Sequence, residues 1–277
     1  VTPDLGFAAN ESGSCNAPYS SCNQRWETNN LNVDLLNTLT PGNYVLEVYG
    51  ESSNSLAGTL FLNNGGNNFR AQFTVGSSLI NESFESGYGS FTQVNDISAN
   101  KWQQGTAAGA TAGSNAVYIS NSASSPFAHN YTATNSTTHL YQDVVVPAGQ
   151  DVISLSFSWR NNGESSDYLR VSYAPITFLP SATTTSISSS TALPGTGTGS
   201  ATTLLNSLFG QNTFVTATTT LPASLAGTTV RLIFTWTNNS FTQNQGPAAL
   251  DNVVMTSRAA QPLSGTYTID NTATLSL

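Results

Sequence analysis

Between residues 153 and 159, Ile153, Leu155, Phe157 and Trp159 alternate with Ser154, Ser156 and Ser158. A period of two places the first set on one face of a strand and the second on the other, so one face is built for burial. Tyr168 to Tyr173 alternates in the same way. Val230, Leu232, Phe234 and Trp236 line one face of a further strand, with Arg231 and Thr235 opposite. Ala116 to Ser120 and Leu140 to Val146 bring the set to at least six strands, and no amphipathic helix of ten or more residues interrupts them. The fold class is all-β, a two-sheet β-sandwich preceded by a smaller β unit. Residues 247–256 also read as a strand, preceded by the turn Gln245-Gly246-Pro247. Asp251 lies inside it: either the acid faces solvent or closes a turn, or it is buried and must be paired, hydrogen-bonded or metal-bound.

Charged residues make up only 8 % of the chain, against roughly a quarter in ordinary soluble domains. Hydrophobic residues are still 38 % and aromatics 10 %, enough for packed cores. Lys101 is the single lysine and the formal net charge is −8. Such a chain lacks the basic patches that nucleic acid or an anionic membrane requires, and a divalent cation suits it better. No apolar run approaches the roughly 20 residues needed to span a bilayer, and no signal peptide is present. Cys15 and Cys22 bracket a short loop with no zinc-like spacing nearby, so a disulfide and an oxidising, extracellular compartment are expected.

The chain divides at its punctuation. Residues 1–76 form a small β unit around Tyr44 to Tyr49, Gly58 to Leu62 and Phe69 to Val75, too few strands to close a sandwich without open edges. Residues 77–258 form the main body, interrupted by a Ser/Thr-rich segment, 180–203, that reads as a mobile surface loop. Residues 259–277 form a tail with one strand-like stretch, Gly265 to Asp270.

Several pieces in order carry a family resemblance: Asn81-Glu82-Ser83-Phe84-Glu85, Lys101-Trp102, Gly113 to Tyr118, Leu155 to Trp159, Asp167 to Val171, Leu221-Pro222 with Ala226-Gly227, and Leu250-Asp251-Asn252-Val253. Together, over about residues 79–257, the chain resembles the cleaved-adhesin and MAM-like jelly-roll modules of Bacteroidetes-type surface proteins and proteases. The resemblance implies first and last strands lying close together, with a structural calcium held by Glu85 and Asp251. Asp96 would be a third ligand and Asn115 a contributor to the six to eight oxygens calcium takes. The first unit resembles the second half of pre-peptidase C-terminal domains through Leu39 to Gly50. Ser264 to Ile269 looks like the opening strand that unit lacks. The resemblance leaves two expectations: a piece cut from a tandem array, or a tail that completes the first domain of the next copy in a head-to-tail filament.

Catalytic signatures are thin. His129 and His139 lie in a Ser/Thr/Asn-rich region, with Asp143 four residues after the latter, but no Gly-x-Ser-x-Gly elbow, HExxH, Walker loop or dinucleotide fingerprint occurs. Glu82 with Glu85, or Glu164 with Asp167, could mimic a glycosidase pair only if brought together across a cleft. The expected function is a secreted, non-enzymatic adhesin or filament subunit. The alternative is a lectin-like module that binds glycans through loop aromatics such as Tyr88, Phe91, Trp102, Tyr131 and Phe241, with Trp102 and Tyr131 the first candidates.

Overall fold

The structure, a computed structural model, describes residues 39, 41–48, 69–241 and 246–260. The chain divides after Thr40, and the described strands all belong to the unit Pro41–Leu277. The first of them, β1 (Gly42–Val48) and β2 (Phe69–Val75), pair antiparallel. Cys15 and Cys22, most of the segment expected to form the small β unit, and the tail from residue 261 lie outside the described residues.

From Ser77 onward two antiparallel sheets form the expected sandwich. One holds five strands, in the order β12 (Thr202–Leu208), β9 (Tyr168–Pro175), β14 (Thr229–Asn238), β7 (Ser136–Val145) and β4 (Thr92–Val94). The other runs β13 (Gln211–Leu221), β8 (Val152–Asn161), β15 (Ala249–Arg258), β6 (Ala116–Ser120) and β5 (Lys101–Gly105), with β3 (Ser77–Glu82) joined to β15. The period-two faces meet between the sheets. Ile153, Leu155 and Phe157 of β8 face Leu232, Phe234 and Trp236 of β14, all buried, and Phe157 packs edge-on against Phe234 at 5.2 Å. Burying each such side chain contributes about 1.5–3 kcal/mol.

Two departures from simple alternation position the loops and acids that matter for function. First, β15 changes partner along one side: β6 pairs with Ala249–Leu250, and β3 with Val253 through Ser257. Asp251 and Asn252 sit in the gap, where the register with β8 also shifts and Asn252 takes φ 48°. A bulge of this kind re-aims a side chain. Second, segment 180–203 is not the mobile loop expected of it. Its start forms β10 (Phe178–Pro180), which pairs with β11 (Gly195–Gly197), and the segment lies across the outer face of the five-stranded sheet. Phe178, Ile187 and Leu193 are buried there with Ala174 and Ile233.

Candidate functional site

Glu85 and Asp251 do converge, but on a loop. Asp251 is 0 % exposed. Its Oδ2 accepts from the Thr111 amide at 2.6 Å, the Thr111 hydroxyl at 2.7 Å and the Ala112 amide at 3.2 Å, while Oδ1 accepts from the Asn252 amide at 2.7 Å. The exposed Glu85 carboxylate accepts from the amides of Ser114 at 3.0 Å and Asn115 at 2.9 Å, and from the Asn115 side chain at 3.4 Å. These bonds hold it below the ordinary carboxylate range, the Asn115 amide contributing most and Ser114 next. Gly113, at φ +69°, lets the loop close over the acid, since a Cβ there would stand 2.3 Å from the Glu85 carboxyl carbon. The loop leads into β6 from the gap at the bulge, so two acids, one just after the first strand of the sandwich and one in its last, clasp residues 111–115.

This donor chemistry does not fit the calcium that the family resemblance implies. A cation needs oxygens, whereas the groups aimed at both carboxylates are N–H and O–H donors. Asn115 contributes its N–H groups. Asp96 sits before β5, at the far end of that strand from the clasped loop, where its Oδ1 accepts from the amide and hydroxyl of Ser98. Among the described residues no three His, Cys, Asp or Glu side chains gather into a possible metal cluster.

The outer face of the five-stranded sheet is closed to ligands by the chain's own flap, residues 178–197. Outward polar residues of the sheet bond the flap backbone. Arg231 donates to the Phe178 carbonyl at 2.8 Å, Tyr168 to Ile187 at 2.9 Å, and Thr137 to Thr185 at 2.8 Å. Arg170, buried with no carboxylate on it among the described residues, donates to the carbonyls of Ser188 and Thr191, both at 2.7 Å, to Asn206 Oδ1 at 3.1 Å and to the Tyr168 hydroxyl at 3.0 Å. His139 joins the Thr235 hydroxyl at 2.9 Å to the Ser181 carbonyl at 3.2 Å, and burial lowers its pKa to about 4. It is therefore a neutral structural imidazole.

Trp102 and Tyr131, the sequence candidates for ligand contact, belong to the core at 0 % and 1 % exposure. Trp102 is the one buried residue of β5. Tyr131 turns inward to stack edge-on against Trp236 at 5.3 Å and to donate its hydroxyl to Asp167 at 2.7 Å. Phe91 is buried and Tyr88 half-buried as well, so Phe241 alone of the aromatic candidates is fully exposed.

Asp167 is the residue that sequence reasoning undervalued. It is buried at the start of β9, where desolvation raises its pKa against the opposing bonds from Tyr131 and the Asn239 amide. Its Oδ1 accepts from that amide at 2.9 Å. Beside it, buried Asn161 donates to the carbonyls of Asp167 and Leu208, each at 2.9 Å. Gly210 donates to the Gly163 carbonyl at 3.1 Å, and His129 Nε2 lies 2.8 Å from the Pro247 carbonyl. Loops 121–135, 161–167, 208–210 and 239–241 are thus fastened to one buried pair at one end of the sandwich. Two exposed aromatics project from them: Phe209 at 40 % and Phe241 at 85 %. They follow β12 and β14, the strands flanking β9, so their backbones leave the sheet two strand spacings apart, about 10 Å. Ser165 and Ser240 are exposed between them, with Glu164, Asn162 and Asn239 part-exposed.

Glu164 and Asp167 lie near each other, the Glu164 charge adding to the rise in the Asp167 pKa, but the supposed catalytic groups are engaged in structural bonds. Asp143 holds Arg231 through two bonds of 2.7 and 2.8 Å, Glu82 accepts the Phe84 amide at 2.6 Å, and Asp167 is buried among structural donors.

No family model matches the chain, and no curated protein matches it. Solved structures with a similar arrangement include a CBM61 domain in complex with β-1,4-galactotriose, at TM-score 0.35 and 14 % identity over 63 % of this chain and 93 % of that one. A xylan-binding CBM22 domain from Paenibacillus barcinonensis gives 0.41 and 13 %, over 67 % and 97 %. The K2 cleaved adhesin domain of Lys-gingipain gives 0.38 and 15 %, over 64 % and 98 %. At these scores none of them assigns a ligand to the present chain.

Proposed function

We propose that this chain is a secreted or surface-exposed, non-catalytic module that binds a neutral glycan at the Asp167 end of the sandwich, as an adhesin or anchoring unit. The observation that carries the reading is the pair Phe209 and Phe241. A lone exposed phenylalanine means little on any surface. Two on loops locked to the same buried Asp167–Asn161 pair, with hydroxyl and amide side chains between them, make a preorganised platform on the scale of a disaccharide. Sugar rings offer apolar C–H faces to aromatics and hydroxyls to amides, and rigid loops lower the ordering cost of binding. The low charge of the chain suits a neutral ligand. Strand donation by the tail forms no part of this reading, since residues 261–277 lie outside the described residues.

A panel of immobilised plant and microbial glycans, probed with the full chain, tests it. Phe209→Ala and Phe241→Ala are each expected to weaken binding roughly tenfold, about 1.4 kcal/mol, without changing thermal stability. Binding that survives the double variant, or the absence of any bound glycan, overturns the site; release of shortened glycan overturns the non-catalytic assignment.

A further inference from the structure

The sandwich has five sheet edges among its described strands, and four of them are protected against pairing with another molecule. β4 is three residues long. β5 is five residues and begins with Lys101. β3 ends in Glu82 and its register shifts beside Thr256. β12 breaks register twice, and Ser207 within it turns to φ 56°. Short length, charge and bulges are the devices by which natural sheets blunt their edges.

β13 has none of them over most of its length. It is an eleven-residue strand, and after one shift near its start Val215 through Leu221 run in unbroken register with β8. Among the described residues its backbone has no partner strand on the other side. Thr216, Thr218 and Thr220 point outward and are exposed, while small Ala217 and Thr219 face inward. No proline lies between Pro194 and Pro222, and no Asp, Glu, Lys, Arg or His occurs in the 60 residues between Arg170 and Arg231.

We propose that β13 is an intermolecular pairing edge, and that it takes the β13 of a second copy of this chain, antiparallel, across a two-fold axis. Two features favour a copy over an unrelated strand. The chain carries a net charge of −8, so two copies repel through most of their surfaces, and the uncharged edge is where they can approach. An antiparallel pairing of one strand with itself is also self-complementary: the outward threonines meet one another as cross-strand hydroxyl and methyl pairs. The contact is closed, because each copy uses its β13 once, and it joins two six-stranded sheets edge to edge.

The test is sedimentation equilibrium on the full chain at concentrations up to about 0.5 mM, a range that covers weak dimers, together with amide hydrogen exchange. The mass is expected to rise from 29.1 kDa towards twice that value, with the 215–220 amides gaining protection as it does. Thr218→Lys places two ammonium groups opposite each other on an outward-facing site, and is expected to hold the mass at 29.1 kDa with unchanged thermal unfolding. Gln103→Lys, on the β5 edge, is expected to dimerise like the parent. The proposal is overturned if the parent stays monomeric, if Thr218→Lys still dimerises, or if Gln103→Lys also dissociates. It is equally overturned if a peptide of residues 264–270 protects the β13 amides of a monomer while the chain itself does not.

Discussion

Asp251 shows how one residue's worth depends on its partners. Its carboxylate accepts four hydrogen bonds, three of them from loop 111–112. Asp251→Ala would strand those donors in the gap between β3 and β6, and a loss of about 3 kcal/mol is expected in denaturant unfolding. Because those donors, rather than an ion, satisfy the acid, adding EDTA should leave the midpoint of the parent protein where it is. A midpoint that falls on chelation would restore the cation and remove the clasp as the explanation. Glu85, at the exposed end of the same loop, should matter less, since water can replace it.

Among the elements, the flap departs furthest from its composition. A Ser/Thr-rich stretch buries little apolar surface, yet this one is held because the sheet beneath presents donors to its carbonyls. Arg170 supplies two of these bonds, to Ser188 and Thr191. Arg170→Met retains much of the side-chain volume and removes the donors, so thermolysin cleavage near Ile187 and Leu193 should accelerate roughly tenfold or more through local opening. An unchanged cleavage rate would mean that the apolar contacts of Phe178, Ile187 and Leu193 suffice. The same flap explains why Arg231 and Thr235, rightly read as the face opposite the core, are nonetheless buried: the alternation of β14 assigns faces, while the cover comes from residues some fifty positions earlier.

For the molecule as a whole, the two histidines set an acid limit. Burial lowers both His129 and His139 to about 4, from 6.5 in the unfolded chain. Between those values the unfolded state binds protons that the folded state does not, so stability is fully present above pH 6.5 and falls as the pH drops towards 4. His139, sealed under the flap with the Arg170 charge also disfavouring its protonation, accounts for up to about 3 kcal/mol of that loss. Asp167, raised by burial, works in the opposite direction. Urea midpoints from about pH 7 to 4 should show the decline, and His139→Gln should flatten it; a variant with the parent's full slope would move the effect elsewhere.

The residues alone determined the class of fold, because a period of two is a local property: it needs only the pleat of a strand to sort Ile153, Leu155 and Phe157 from the serines between them. Glu85 and Asp251 were linked by the family resemblance rather than by the residues alone, and what the structure shows is that both bond one loop, 111–115. What they meet was decided by tertiary structure, since the bulge at Asp251 and the gap between β3 and β6 bring a third segment between them and fill their lone pairs with amides. The same holds for Trp102 and Tyr131, whose loop positions suggested a ligand, and for Phe209, which nothing nearby in the chain distinguishes. Whether a side chain is covered depends on what the rest of the chain lays over it, and no spacing along one strand carries that information.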